Sequence, residues 1–250
     1  VLYPGYPLYL VRIQKVVLMR SHNRSAKLLV VVILLLLSVV YLLPIYVMAI
    51  TSLKSVEEIN RGQYLLPTMN PQWSNYAEVL FGSDRFRSEM FTRLLNSVII
   101  SFTVTLLCAF FGGLSGYYLS RTKSRFTQLL FILVGVGLYL PYQVVIIPLT
   151  ILMARTGLSQ SHLGLILAYL ILNVPLACVM LGTFFLSVPR ELEEAALVDG
   201  ANRVQLFFRI VTPVSLPAYA SVSIIIFTQV WNEFFLALSL ASRQTQTVQV

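Results

Sequence analysis

A series of long apolar stretches is the feature that most constrains how this chain can fold. About 20 residues of α-helix cross the hydrocarbon core of a bilayer. Five stretches reach that length: residues 27–50, 94–119, 129–154, 163–186 and 216–240. The sequence therefore predicts an all-α membrane protein, a polytopic helical bundle with five spans.

The composition supports this class. Of the 250 residues, 57% are hydrophobic and 11% are charged, whereas about a quarter of the residues in soluble domains are charged. The net charge of +8 does not indicate nucleic acid, because the basic residues lie beside apolar stretches and no soluble domain presents them. Cys108 and Cys178 lie inside apolar stretches, so we predict two buried thiols, no disulfide and no metal site.

The positions of lysine and arginine predict the orientation. Residues 1–26 form a basic tail, which the positive-inside rule assigns to the cytoplasm, and Arg121, Lys123 and Arg125 in the short second loop agree. The loop over 51–93 then lies outside despite its own basic residues, which the rule tolerates because this loop is long. The amino terminus is therefore predicted to be cytoplasmic.

A polar stretch over 187–215 separates the fourth and fifth predicted spans. Pro189 suits the first turn of a helix, and the acidic residues that follow it favour the positive end of the helix dipole. Gly200 permits the left-handed turn that ends a helix, and 201–210 predicts a second short helix. The stretch therefore predicts a helix-turn-helix at the cytoplasmic face. Spacing alone leaves open whether it docks a partner or is an amphipathic connector at the membrane surface.

The residues of this stretch resemble a known family. Glu194-Ala195-Ala196, three residues, Gly200, nine residues, Ile210 and Pro213 are similar to the cytoplasmic loop of permease subunits of binding-protein-dependent ABC importers. Thr212 departs from the leucine that is more common there. The resemblance extends from about Thr51 to the carboxyl end. It is closest to the maltose-type, carbohydrate-importing branch, through the elements Asn96-Ser97, Pro141, Ile147-Pro148, Gly157-Leu158 and Trp231-Asn232-Glu233-Phe234.

The resemblance implies a role for the polar stretch and a set of partners. In that family the loop forms coupling helices that dock into a cleft on a separate ATPase subunit. The residues that would do so here are Glu194, Ala195, Ala196, Asp199, Gly200 and Ala201. Helical spacing also puts Leu192, Ala195, Ala196 and Asp199 on one shallow face, on which another surface could approach closely.

The implied partners are two ATPase subunits carrying ATP and Mg, a second permease and an extracytoplasmic binding protein, in a bacterial or archaeal inner membrane. This chain has no phosphate-binding loop of its own, so we predict that it is not an enzyme and holds no cofactor. The resemblance implies six spans in this subunit, whereas we count five, so we expect the sixth to be missing from this sequence.

Polar residues inside the apolar stretches are candidates for a solute pathway. Glu233 is the only acid within such a stretch, and an unpaired carboxylate inside a membrane is costly. Near the outer end of its span, with Asn232 beside it, it also fits an interfacial anchor or a helix-packing group. Tyr142, Gln143 and Asn173 lie next to prolines, where a helix break can line a cavity, although an amide that stabilises a proline kink is the alternative.

Three functions remain from the sequence. The first is the permease subunit of an ATP-driven importer for a sugar or related polyol. The alternative is an ion-coupled secondary carrier that uses Glu233, and the third is a membrane scaffold without transport. Neither His22 nor His162 has a catalytic neighbour in the sequence, and we expect both to be solvated. The GxxxG spacing of Gly112 and Gly116 predicts a close contact between helices.

Overall fold

The structure, a computed structural model, describes residues 24–82 and 90–250, and all regular structure within these ranges is helical. The chain divides into two compact units, one up to Glu78 and one from Val79 onward. The predicted basic tail lies outside the described residues, apart from residues 24–26. His22 also lies outside the described residues.

The first unit begins with helix α1 (Arg24–Thr51), which contains one proline, Pro44. Its segment Lys27–Thr51 is long and apolar enough to cross a membrane, and the predicted span was 27–50. The segment is apolar on all sides, which is typical of a helix surrounded by lipid or by other helices.

The loop after α1 contains two short helices, α2 (Val56–Asn60) and α3 (Ser74–Phe81). Helix α2 begins with a capping box, in which the Ser55 hydroxyl accepts the N–H of Glu58 and the Glu58 carboxylate accepts the N–H of Ser55. The Thr68 hydroxyl donates to the same carboxylate at 2.8 Å. These bonds, the backbone N–H of Ser55 first, hold the pKa of Glu58 below its usual value.

The second unit is built around α4 (Met90–Arg121), α7 (His162–Ser187) and α11 (Leu216–Trp231). The largest interface joins α4 to α7, and α11 packs against both. The core lies between these three helices, and the side chains of Cys108 and Cys178 are buried in it, as predicted.

Small residues let α4 and α7 approach closely. Gly112 and Gly116 of α4 face Ala177 and Gly182 of α7, and a Cβ atom at Gly116 would lie 2.6 Å from the carbonyl oxygen of Cys178. No side chain fits there without moving the backbone of one helix. The predicted close contact at the GxxxG spacing is therefore confirmed.

The third predicted span is not one helix. Helices α5 (Arg125–Gly137) and α6 (Tyr142–Arg155) meet at 101°, so the prediction of a continuous helix over 129–154 is wrong at residues 138–141. The cause lies at Pro141, which has no N–H to donate and disfavours helical geometry in the residue before it.

The fifth predicted span, 216–240, is interrupted as well. Helix α11 ends at Trp231, and a separate helix α12 (Phe235–Leu240) begins after residues 232–234. Within the described ranges, three helices are long and apolar enough to cross a membrane. Two bent pairs, Arg125–Gly137 with Tyr142–Arg155 and Arg203–Val214 with Leu216–Trp231, bring the possible number of spans to five.

We expect Gly116→Ala to destabilise the second unit by about 1–3 kcal/mol, because overpacking of a close contact forces the two helices apart. Gly135→Ala is the matched control, since a Cβ atom there meets nothing within 4 Å and alanine favours the helix. Thermal melting of the purified protein in detergent measures both. Equal melting temperatures for the two variants would contradict this packing argument.

Candidate functional site

The polar stretch over 187–215, which we call the coupling segment, folds as two short helices joined by a turn. The first, α8 (Arg190–Val198), starts directly after Pro189 and ends before Gly200, whose φ of +85° suits glycine. The second part consists of α9 (Arg203–Leu206), a π-helical turn over Phe207–Val211 and α10 (Thr212–Val214). The sequence placed this second helix over 201–210, so it begins two residues later than predicted and continues further.

A capping box explains where the second helix begins. The Asn202 side chain accepts the N–H of Gln205 at 2.9 Å, and the Gln205 side chain accepts the N–H of Asn202 at 3.0 Å. The spacing of Asn and Gln three residues apart is a known helix-start signal, and it could have been found in the sequence.

The structure separates the residues predicted to contact an ATPase. Glu194, Ala195, Asp199 and Gly200 are exposed and Ala201 is half-buried. Ala196 is only 7% exposed because it packs into the core of its own chain. Of the residues predicted to share one shallow face, Ala195 is therefore open to a partner, whereas Ala196 is covered by its own chain.

An ion pair holds α8 against the end of α4. The carboxylate of Glu193 lies 2.7 Å from an Nη atom of Arg121, and both side chains are nearly buried. The Tyr117 hydroxyl donates to the other carboxylate oxygen at 2.8 Å, and Arg121 also donates to the carbonyl of Val188 at 2.8 Å. We call Tyr117, Arg121 and Glu193 the α4–α8 joint. The sequence identified Arg121 only as a topology signal and Glu193 only as a helix-dipole acid.

Aromatic side chains attach the second half of the coupling segment to the same helices. Phe207 lies between Tyr117 of α4, with ring centroids 5.3 Å apart, and Phe185 of α7, at 6.4 Å. Tyr117 and Phe185 meet edge to face at 5.7 Å. Both halves of the segment therefore contact Tyr117.

A cavity of about 830 Å³ lies where α5, α6, α7 and α11 meet. Its lining includes all five residues predicted for a solute pathway: Tyr142, Gln143, Asn173, Asn232 and Glu233. The breaks at 138–141 and 232–234 both open onto it. The cavity therefore exists because the two helices are interrupted, and polar side chains beside the breaks line it.

Glu233 has donors for its carboxylate within the chain. The carboxylate accepts the backbone N–H groups of Leu236 and Ala237 at 2.9–3.1 Å and the hydroxyl of Tyr169 at 2.9 Å. It thus satisfies the first donors of α12 and ties this helix to α7. The helix-packing alternative for Glu233 accounts for these contacts.

Two amides of the cavity, Asn173 and Asn232, donate to the backbone nearby in sequence. Each of them donates to the carbonyl four residues earlier, that of Tyr169 or Thr228, at 2.8 Å. For Asn173 this matches the alternative of an amide that stabilises a helix near a proline.

The sequence missed three polar residues of the lining: Tyr139, Tyr169 and Gln229. Tyr139 is 89% exposed and lies in the break before Pro141. Gln229 is a lone amide within an apolar stretch, a signal that was available in the sequence. Glu233 is the only charged residue among those that line the cavity.

Another cluster lies at the opposite end of α4 from the joint. The buried Asn96 donates to the carbonyls of Gln244 and Gln246 at 2.9 and 3.0 Å. The hydroxyl of Ser97 accepts the N–H of Val248 at 2.9 Å. These bonds hold residues 241–250, which we call the tail segment, against the start of α4.

His162 belongs to the same cluster. Its Nε2 lies 3.0 Å from the side-chain oxygen of Asn96, and the residue is half-buried. The expectation that His162 is solvated is therefore wrong. Its position at the start of α7 brings it beside α4, a proximity that the sequence did not reveal.

Comparison with known proteins places this architecture in a class. Residues 108–249 match the family described as the inner membrane component of binding-protein-dependent transport systems. The glucose import system permease protein GlcU of Saccharolobus solfataricus is 32% identical over 212 residues, which cover 82% of this chain and 71% of that protein. The diacetylchitobiose uptake system permease protein NgcG of Streptomyces coelicolor is 32% identical over 84% of this chain and 68% of its own length.

A solved structure shares the fold. The bacterial ABC transporter involved in the import of the acidic polysaccharide alginate aligns with a TM-score of 0.78 and 21% identity, over 91% of this chain and 79% of that one. The chain belongs to the family of inner membrane components of binding-protein-dependent transport systems. The resemblance read from the sequence is confirmed, and the ion-coupled carrier finds no support.

We expect Ser97→Ala to speed amide exchange in the tail segment, since Val248 loses the acceptor of its N–H. Ser101→Ala is the matched control, because Ser101 is buried one turn further along α4. Hydrogen–deuterium exchange followed by mass spectrometry measures the rate. Equal exchange of the tail segment in both variants would contradict the role of Ser97.

Proposed function

We propose that this chain, with a second permease, encloses the pathway of an ATP-driven importer for a sugar or a related polyol. The observation that carries the proposal is the pair of features that α4 and α7 connect: a cavity with polar side chains at two helix breaks and a short exposed helix tied to the end of α4. Such a permease requires a cavity through which the solute passes. It also requires a surface on which an ATPase docks and drives the conformational change.

The exposed face of the coupling segment supports docking of an ATPase subunit. Leu197, Val198 and Val204 are 49%, 87% and 65% exposed, beside the exposed Ala195 and Asp199. Apolar side chains on a short polar segment are typical of a surface that a partner covers. In this proposal ATP and Mg are bound by two separate ATPase subunits, and this chain holds no cofactor.

The proposal includes a cytoplasmic amino terminus in a bacterial or archaeal inner membrane, as the positions of the basic residues predict. The second unit has two distinct ends, as this topology requires. Asn96, His162 and the tail segment share one end of the second unit, and Arg121 and Glu193 share the other. The proposal puts the coupling segment in the cytoplasm and the tail segment outside, where a solute-binding protein would deliver its cargo.

The cavity lining supports a polyhydroxylated solute. Three tyrosines and four amide side chains surround a volume of about 830 Å³, and such groups bind hydroxyls by hydrogen bonds and ring faces by stacking. GlcU and NgcG carry names that refer to glucose and diacetylchitobiose, which makes both sugars suitable first probes.

We expect Ala195→Arg to prevent an ATPase from co-purifying with this chain, because a long charged side chain would obstruct the exposed face of α8. Ala77→Arg is the control, since Ala77 is an exposed alanine outside the coupling segment. The measurement is affinity purification in mild detergent after co-expression with the genomic neighbours. If no ATPase accompanies the wild type, the importer proposal fails.

We expect Tyr139→Ala to raise the KM for uptake about tenfold, because the cavity loses an exposed aromatic surface. Tyr139→Phe keeps the ring and should remain within about twofold of the wild type. Uptake of labelled glucose and diacetylchitobiose into proteoliposomes with the assembled complex measures the effect. Equal KM values for both variants would remove Tyr139 from the pathway.

A further inference from the structure

The α4–α8 joint is the ionic contact between the coupling segment and the bundle. Arg121 reaches two points: the carboxylate of Glu193 on α8 and the carbonyl of Val188, which ends α7. Tyr117, one turn earlier on α4, donates to the second oxygen of the same carboxylate. One ion pair and two hydrogen bonds therefore join the start of α8 and the end of α7 to α4, so a movement of α8 acts on Arg121.

Stability alone is a weak reason for this arrangement. Removing two charges from water costs about as much as their attraction returns, unless the remaining polar atoms are also satisfied. Within the described part of the chain, the Nε of Arg121 and the Oε1 of Glu193 are buried without a hydrogen-bond partner, although this oxygen is ion-paired with Arg121. Two apolar side chains could fill the same space without the desolvation cost of two charges. The ion pair therefore fixes the position and orientation of α8 more than it stabilises the fold.

The surroundings of the joint indicate which way a displacement is transmitted. Tyr117 also contacts Phe207 and Phe185, so α4, α7 and both halves of the coupling segment meet at one side chain. Because interiors are close-packed, a shift of such a junction moves its helices as bodies. From this junction α7 continues to the cavity, which it lines through Tyr169 and Asn173.

We propose that Tyr117, Arg121 and Glu193 are positioning residues that transmit the movement of α8 to α4 and α7, and hence to the cavity. This inference rests on the proposed function, because the movement originates in an ATPase docked on the coupling segment. The joint is distinct from the docking face, since its three side chains point into the chain while Ala195 and Asp199 are exposed.

The test measures how accessible a thiol in the cavity lining is to a reagent, and it does not require the solute to be known. Tyr139→Cys introduces a thiol at an exposed position of the lining, while the native Cys108 and Cys178 are buried. In the assembled complex, the rate of its modification by N-ethylmaleimide is measured with and without Mg and a non-hydrolysable ATP analogue. With an intact joint we expect the nucleotide to change this rate about fivefold or more, the lower range of allosteric coupling.

Two variants in the Tyr139→Cys background remove the joint. Arg121→Met leaves Glu193 unpaired, whereas Arg121→Met combined with Glu193→Leu replaces the pair by apolar side chains and leaves no buried charge. We expect the double variant to retain the ATPase subunits while its nucleotide-dependent change falls to within about twofold. Lys123→Met is the matched control, an exposed cation two residues from Arg121, and should keep the full response.

The outcomes separate the joint from the proposed function. A full response in the double variant overturns the inference, because an apolar contact would then serve equally well. Failure of the double variant to assemble overturns it too, since the pair would then act in folding. If the parent Tyr139→Cys complex binds the nucleotide and shows no change in rate, the proposed function itself fails.

Discussion

The close approach of α4 and α7 is the contact on which the rest of the second unit depends. Glycines at 112 and 116 remove the side chains that would hold the helices apart, so packing between backbones replaces packing between side chains. The fixed pair then carries a cluster at each end. Asn96 and His162 meet at one end, and Arg121 meets Glu193 at the other.

The length and hydropathy of the apolar stretches predict much of the fold. The coupling segment is predicted by signals within a few residues of its helix ends. Pro189 and Gly200 delimit α8 because one suits a helix start and the other a left-handed turn, and both effects act within a few residues. The pathway candidates were found for a related reason. Tyr142 and Gln143 follow a proline that breaks a span, whereas Asn173 lies near a proline inside the continuous helix α7. Glu233 was found as a lone acid in an apolar stretch, with Asn232 beside it, and all five candidates line one cavity.

Long-range pairing could not be predicted in this way. Arg121 and Glu193 are 72 positions apart, and the sequence around each gives no signal that the two residues pair. The same holds for Asn96 and the tail segment. The inward orientation of Ala196 also depends on tertiary packing, because helical spacing defines which residues share a face but not which face is covered. Pro141 indicated the break at 138–141, although the length of the apolar stretch over 129–154 suggested one continuous span.

The length of α4 has a consequence for the setting of its final turn. Its 32 residues extend about 48 Å, and about 45 Å along the bilayer normal at a typical tilt of about 20°. The hydrocarbon core is about 30 Å thick, so about 15 Å of the helix lies at the level of the lipid headgroups. Arg121 is the last residue of α4. The guanidinium of Arg121 therefore lies at the level of the lipid headgroups, where water lowers the energetic cost of a charge. In this way α4 ends in a cation that does not contact hydrocarbon.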